Sequence, residues 1–409
     1  MLIGLLTLPY LLNEIGVGRL GVLMLNWSLI GYFSIFDFGL GRALTYKISA
    51  LRAEHQSGHI YSVAYFGLLC MLLIGVFSAA IVISCVYIFG ISWLNINSDF
   101  YQDAYYSIIL SGLAIPFTTL TSGMKGVLEG FENFKAVNIL KSILGISNFL
   151  VPVLAVQFFG PNLVLIVAGL IFARFIVMLM HYLVINRLIV RPIHHQNHIV
   201  YGYKELIHFG AWMTVSNIVS PLMSLADRFI ISHFDGSASV AYYSVPFDFM
   251  FRLLMIPAAL TTTLFPFFSK ELKLNPQKVR SHFIQSQILI GFGMSLCCSL
   301  LAIFSHYGLT LWMGSDFADH SYQIAMIIAF GIVFNSLGQA PLMLIQATGR
   351  VKLTSIIHLV EFVFYAPTLI LAVKHNGVIG AAVVWVARVM IDCIVLNFYG
   401  YKIIKSKNA

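Results

Sequence analysis

The chain has 409 residues, of which 59% are hydrophobic and 10% charged, with a mean hydropathy of +0.89. A soluble globular domain is nearer half apolar and about a quarter charged, so this composition excludes a water-soluble fold and indicates a membrane protein. The net charge of +8 reads as a charge bias across a bilayer and not as a nucleic-acid-binding surface.

Apolar runs recur along the chain at roughly 1–12, 20–46, 61–90, 104–124, 138–159, 162–186, 206–232, 240–268, 283–305, 321–346, 353–373 and 378–401. Most are long enough to cross a hydrocarbon core of about 30 Å as a helix. The short alternating strands of a transmembrane barrel are absent from this pattern. The first run is short for a crossing and lacks the basic flank of a signal peptide, so an incomplete first helix is expected there. The expected fold class is an all-α polytopic membrane protein with about twelve transmembrane helices. Spans 1–6 form an N-terminal lobe over 1–190, residues 191–205 a cytoplasmic linker, and spans 7–12 a C-terminal lobe over 206–409. The five cysteines, Cys70, Cys85, Cys297, Cys298 and Cys393, all fall in apolar runs without zinc-site spacing and read as reduced thiols.

Orientation follows from the cations. One set of alternate connections, with the C-terminal tail, holds seventeen of the 24 Lys and Arg residues: Lys47, Arg52, Lys125, Lys135, Lys141, Arg187, Arg191, Lys204, Lys270, Lys273, Lys278, Arg280, Arg350, Lys352, Lys402, Lys405 and Lys407. The opposite connections hold Arg19, Arg228 and Lys374 and are mildly acidic, with Asp99, Asp103, Asp316 and Asp319. The positive-inside rule then puts both termini in the cytoplasm. No connection is long enough for a soluble domain.

The halves resemble each other weakly. VLEGFENFKAVNIL (127–140) aligns with LIQATGRVKLTSII (344–357) at an offset of 217, placing Lys135 on Lys352; GLIFARFIV (169–177) aligns with VVWVARVMI (383–391) at 214, placing Arg174 on Arg388. With six spans per half the copies are parallel. A tempting match of YFSIFDF (32–38) to YYSVPFDF (242–249) would equate Asp37 with Asp248. It fails on depth, because Asp37 lies near the inner end of its span and Asp248 near the outer end of its own.

Four arginines lie within spans or at their inner ends: Arg42, Arg174, Arg252 and Arg388. At about 1.5 Å per residue, Arg174 and Arg252 lie about 18 Å, and Arg388 about 15 Å, from the outer ends of their spans, near the midplane. Each costs roughly 2.5–3.5 kcal/mol against lipid, so each should face an interior, a cavity or a partner. Asp248 with Arg252, and Arg388 with Asp392, are spaced i,i+4 and share a helix face. Glu361 has no basic partner on its own helix, and span 6 offers Arg174 no acid at all. Asp227 with Arg228 reads as a structural pair, and Arg42 as an interface anchor near Asp37. HHQNH (194–198) reads as a polar cytoplasmic connector before it reads as a metal site, since no carboxylate or cysteine adjoins it. No Walker loop, HExxH, dinucleotide fingerprint or nucleophile elbow occurs, so no enzyme activity is expected. Pro116, Pro257 and Pro341 fall inside spans and can kink them.

GRLGVLMLNWSLIGYFSIFDFGLGRALT (18–45), GVLEGFENFKAVN (126–138), ADRFIISHFDGSASVAYYSVPFDF (226–249) and LTTTLFPFFSK (260–270) resemble bacterial O-antigen and polysaccharide lipid flippases of the Wzx type. These belong to the multidrug/oligosaccharidyl-lipid/polysaccharide exporter superfamily. The resemblance runs over nearly the whole chain, apart from the N-terminus. It implies two six-helix lobes around a central cavity in the bacterial inner membrane. It further implies transfer of an undecaprenyl-diphosphate-linked oligosaccharide to the periplasmic leaflet by alternating access, beside other polysaccharide-assembly membrane proteins. Physical chemistry fits this substrate: Arg174, Arg252 and Arg388 would bind the diphosphate, which guanidinium grips bidentately. A negative-inside potential favours outward movement of anions by about 2.3 kcal/mol per charge per 100 mV. No cofactor is expected. Coupling to H+ or Na+ would fall to Asp37, Asp248, Glu361 and Asp392. Two rivals stand beside this reading. A cation-coupled drug antiporter of the same superfamily would use the acids, although three midplane arginines repel cations. A membrane-embedded polymerase or acyltransferase would need a larger outer loop.

Overall fold

The computed structural model describes residues 2–32, 39–54, 57–189, 203–348 and 351–408, and these are helical almost throughout. Helices are what an apolar chain can form in lipid, because every backbone N–H and C=O must be satisfied within its own segment. The chain packs as two compact units, Met1–Leu225 and Ala226–Ala409. The expected linker lies outside the described residues from 191 to 202.

Unit 1 contains α1 (Leu2–Tyr32), α2 (Leu40–Ala53), α3 (Ser57–Phe89), α4 (Tyr101–Gly112), α5 (Ala114–Gly130), α6 (Phe134–Phe159) and α7 (Leu163–Leu188). Helix α5 packs on α2, α3 and α7, and α6 packs on α1 and α7. The α2–α5 crossing is close: a Cβ on Gly126 would sit 2.1 Å from the Gly41 carbonyl oxygen. There the Thr45 hydroxyl donates to the Gly126 carbonyl at 3.0 Å. Beside the crossing Leu44, Ile48, Val127 and Leu128 form a fully buried core.

The helix α8 (Tyr203–Phe251) runs across the boundary of the units. Unit 2 continues with α9 (Met255–Leu274), α10 (Pro276–Ile303), α11 (Ser305–Met313), α12 (Ser315–Ala347) and α13 (Val351–Asn408). Helix α12 is its centre and packs on α9, α10, α11 and α13. Gly331 lets the buried Trp385 ring lie directly on α12, since a Cβ there would meet the ring at 2.5 Å. Outward faces remain apolar, with Phe89 74% and Phe292 72% exposed, a surface that only lipid would cover.

Nine helical stretches among the described residues are long and apolar enough to cross a membrane. Three of them are hairpins rather than single crossings. In α1, α8 and α13 the helix is broken at Gly16 (φ 76), Gly236 (φ 81) and Gly377 (φ 55), which gives about twelve crossings. Gly90, Gly160 and Gly314 supply positive φ at the remaining alternate connections. Gly16 and Gly236 are 220 apart and Gly160 and Gly377 are 217 apart, close to the offsets of the sequence repeat.

Three spans expected as continuous are interrupted. Residues 20–46 do not form one helix: Gly39 is left-handed (φ 70) and starts α2. Span 4 breaks at Leu113, where Pro116 leaves the Gly112 carbonyl without its helical donor. Span 8 tightens into a 3-10 turn at Arg252–Leu254, because Pro257 does the same to Leu253.

The hairpin glycines give a testable contrast. At Gly377 an added Cβ would strike the Asp235 carboxylate at 2.6 Å, in a carboxylate that also accepts a backbone hydrogen bond from Val378; at Gly16 and Gly160 it would meet nothing. All three alanine variants bear backbone strain of about 1–2 kcal/mol. Gly377→Ala should therefore lower the melting temperature of the purified protein more than Gly16→Ala or Gly160→Ala. Equal losses would mean that strain alone matters.

Candidate functional site

Each unit holds a mainly apolar pocket with an arginine in its wall. In unit 1, Arg174 stands half-buried on α7 and lines a cleft of about 180 Å³ with Ile30, Gly31, Thr118, Thr121, Leu144 and Val177. Its Nη1 donates to the Leu170 carbonyl one turn earlier, at 3.1 Å. Among the described residues no carboxylate is within ion-pair distance of Arg174. Thr118 donates to the Ala114 carbonyl at 2.8 Å. Thr121, one turn on, adds a second hydroxyl to the same wall. A cleft with one guanidinium, two hydroxyls and no acid is suited to an anion.

In unit 2, the two arms of α13 enclose a cleft of about 440 Å³. Apolar residues line most of it, and Glu361, Tyr365, Thr368, Arg388 and Tyr399 supply the polar groups. Arg388 Nε lies 3.9 Å from Glu361 Oε2, with the side chains only 11% and 8% exposed. The guanidinium also sits over the Tyr365 ring at 5.6 Å. The pairing is incomplete: Arg388 Nε and Nη1 and both Glu361 oxygens make no hydrogen bond among the described residues. His358 Nε2 approaches Asp392 Oδ1 at 3.8 Å. The ligating atoms of His358, Glu361 and Asp392 all lie within 4.8 Å of one another, close enough to hold a small cation.

The structure corrects two pairings expected from i,i+4 spacing. Asp248 pairs with Arg228 across the Gly236 hairpin rather than with Arg252, which opens the 3-10 turn. Arg388 pairs with Glu361 on the opposite arm, and Asp392 turns to His358. Asp227 and Arg228 do not pair as a unit either: Asp227 is fully buried and accepts from the Tyr243 hydroxyl at 2.7 Å. Asp37 and the histidines of 194–198 lie outside the described residues. His358, Tyr365, Thr118 and Thr121 escaped the sequence reading. His358 and Tyr365 were available to it, since they flank Glu361 at i−3 and i+4.

Residues 1–272 match the family model described as polysaccharide biosynthesis protein, and residues 213–371 match MatE. A Shigella flexneri protein named "Putative O-antigen transporter" is 33% identical over 405 residues, covering 97% of this chain and 93% of that one. The chain belongs to the polysaccharide biosynthesis protein family. It is a Wzx-type member of the multidrug/oligosaccharidyl-lipid/polysaccharide exporter superfamily and a multi-pass membrane protein. Solved structures share its fold at low identity. An inward-facing multidrug resistance transporter of the MATE family aligns with TM-score 0.80 and 12% identity, over 100% of this chain and 95% of that one. The lipid II flippase MurJ in an inward closed conformation aligns with TM-score 0.74 and 15% identity, over 97% and 85%.

The unit 2 pairing makes a prediction about stability. Removing one partner of a buried ion pair costs about 3–5 kcal/mol, because the other charge is left uncompensated. Arg388→Gln should therefore lower membrane abundance and melting temperature. Adding Glu361→Gln should restore them, whereas adding Asp392→Asn should not. Rescue by Asp392→Asn instead would reinstate the in-helix pair.

Proposed function

We propose that this protein moves a polyprenyl-diphosphate-linked oligosaccharide, such as an O-antigen repeat unit, from the cytoplasmic to the periplasmic leaflet of the bacterial inner membrane by alternating access. Arg174, Arg252 and Arg388 bind the diphosphate, the glycan travels in the polar interior, and the polyprenyl chain remains in lipid. Both termini lie in the cytoplasm. The protein moves its substrate without making or breaking covalent bonds. Other membrane proteins of polysaccharide assembly supply the substrate and receive it.

The observation that carries this reading is Arg174, a cation that costs energy in an apolar helix, lines a cleft and has no carboxylate partner among the described residues. A structural arginine would be expected to have a partner; one without it is poised for an anionic ligand. The relationship to the Shigella flexneri protein over 97% of the chain points to the same substrate class. The His358–Glu361–Asp392 cluster supports coupling to H+ or Na+ through Glu361 and Asp392, with Arg388 as the internal competitor for the acids. A drug antiporter would use the same acids, but a cationic drug would be repelled by Arg174.

Complementation of a flippase-deficient strain, with protein level measured alongside, tests the reading. Arg174→Gln should abolish surface glycan at normal abundance, since no ion pair is broken. Arg174→Lys should retain part of the activity, keeping charge and losing the planar fork. The double variant Arg388→Gln/Glu361→Gln should reach normal abundance and still fail to export glycan. Full export by Arg174→Gln and by the double variant would remove the arginines from the mechanism.

A further inference from the structure

A phosphate grip alone cannot tell a loaded lipid carrier from a bare one, because both present the same diphosphate. The surroundings of the Arg174 cleft contain groups suited to that distinction. On α1, Trp27 precedes the cleft-lining Ile30 and Gly31 by three and four residues; on α6, Asn148 follows the cleft-lining Leu144 by four. Both therefore continue faces that line the cleft, about one helical turn away. The seam between them is joined by the Trp27 ring meeting the next residue of α6, Phe149, edge-on at 5.5 Å between centroids.

Two buried polar atoms on these helix faces have no hydrogen-bond partner among the described residues. They are the Trp27 Nε1, a donor only, and the Asn148 Oδ1, an acceptor. Orphaned groups of this kind are rare in native folds and costly in an apolar interior. Their chemistry is complementary, yet they are not bonded to each other. Sugar hydroxyls could serve both, one accepting from the indole N–H and one donating to the amide oxygen. Nearby glycines leave room: a Cβ on Gly31 or Gly145 would meet nothing within 4 Å.

Resting on the reading of Arg174 as a diphosphate ligand, we infer that Trp27 and Asn148 form a subsite for the first sugar of the lipid-linked glycan, a hexopyranose whose hydroxyls satisfy the two orphaned groups beside the Arg174 cleft. Both atoms are covered in this conformation, so the sugar reaches them when the α1–α6 seam parts. A bare diphosphate leaves both groups unpaired, and a site built to hydrogen-bond a hydroxyl rejects the ligand that lacks it. The subsite thus favours the loaded carrier.

Binding of three defined probes to the purified full-length chain tests this: farnesyl diphosphate, farnesyl diphosphoglucose and farnesyl diphospho-N-acetylglucosamine. The wild type should bind at least one sugar-bearing probe about tenfold more tightly than the bare diphosphate. Trp27→Phe keeps an aromatic ring without the N–H, and Asn148→Leu keeps the bulk without the acceptor. Each should collapse that ratio to within about twofold, with the melting temperature confirming an intact fold. Arg174→Gln should instead weaken all three probes together. A wild type that binds the bare probe as tightly as both sugar probes would overturn the subsite, as would a preference that survives in both variants, which is the outcome if only water fills the seam. Failure of the wild type to bind any of the three would overturn the diphosphate reading and the subsite with it.

Discussion

A charge held inside an apolar helix bundle must find a partner, a cavity or a route to the interface, and most of the polar architecture of this protein follows from that constraint. Arg228 has Asp248, Arg388 has Glu361, and Asp227 has the Tyr243 hydroxyl. In unit 1 the same constraint is met without charge where only polarity is needed. Asn26 donates to Ser107 at 3.1 Å and accepts from Ser111 at 2.7 Å, and all three residues are fully buried. Among these buried charges Arg174 differs in lining a cleft with no carboxylate within ion-pair distance among the described residues.

The second organising constraint is that backbone hydrogen bonds can be interrupted only where something local forces it. Two prolines account for two breaks, at Leu113 and at Arg252–Leu254, each by depriving a carbonyl one turn earlier of its donor. Glycines with positive φ account for the hairpins at Gly16, Gly236 and Gly377, where a side chain would be strained. Pro341 shows that proline is not sufficient, since α12 runs unbroken through it at the packed centre of unit 2. Pro152 in α6 likewise leaves its helix continuous, and the break at Arg252–Leu254 places Arg252 on a turn whose backbone geometry differs from that of the helices on either side.

Much of the fold was legible in the sequence because crossing length and charge bias act locally. The approximate count of spans and the lack of any acid beside Arg174 on its own helix both follow from reading one segment at a time. The ion pairs were not legible in that way. The i,i+4 rule proposes partners on the same helix, whereas a tight hairpin offers nearer ones on the opposite arm. Arg228 and Asp248 lie 8 and 12 residues from Gly236, while Asp227 and Tyr243 lie 9 and 7 from it. Once a glycine is known to be the turn, groups at similar distances on either side become the candidates. What the sequence lacked was the identity of the turning residue, because its positive φ leaves no mark that distinguishes it from the other 30 glycines in the chain.

The two repeat-related arginines, Arg174 and Arg388, have diverged in their surroundings, and that divergence bears on mechanism. Arg174 has hydroxyls and open space around it; Arg388 has Glu361 at 3.9 Å, with Asp392 and His358 close by. Under the proposed function a guanidinium with no carboxylate beside it among the described residues can hold an anion throughout the cycle, because no acid there competes for it. A guanidinium beside carboxylates cannot, since the acids and the substrate phosphate compete for the same N–H groups. A proton or small cation taken up by Glu361 and Asp392 would remove that competition and free Arg388 for the phosphate. Loss of the cation would return Arg388 to the acids and weaken the grip. Coupling would then need no contact between ion and substrate, only one arginine that both sides of the exchange require. The division of labour lies in the acids that unit 2 places around its arginine and that α7 in unit 1 lacks.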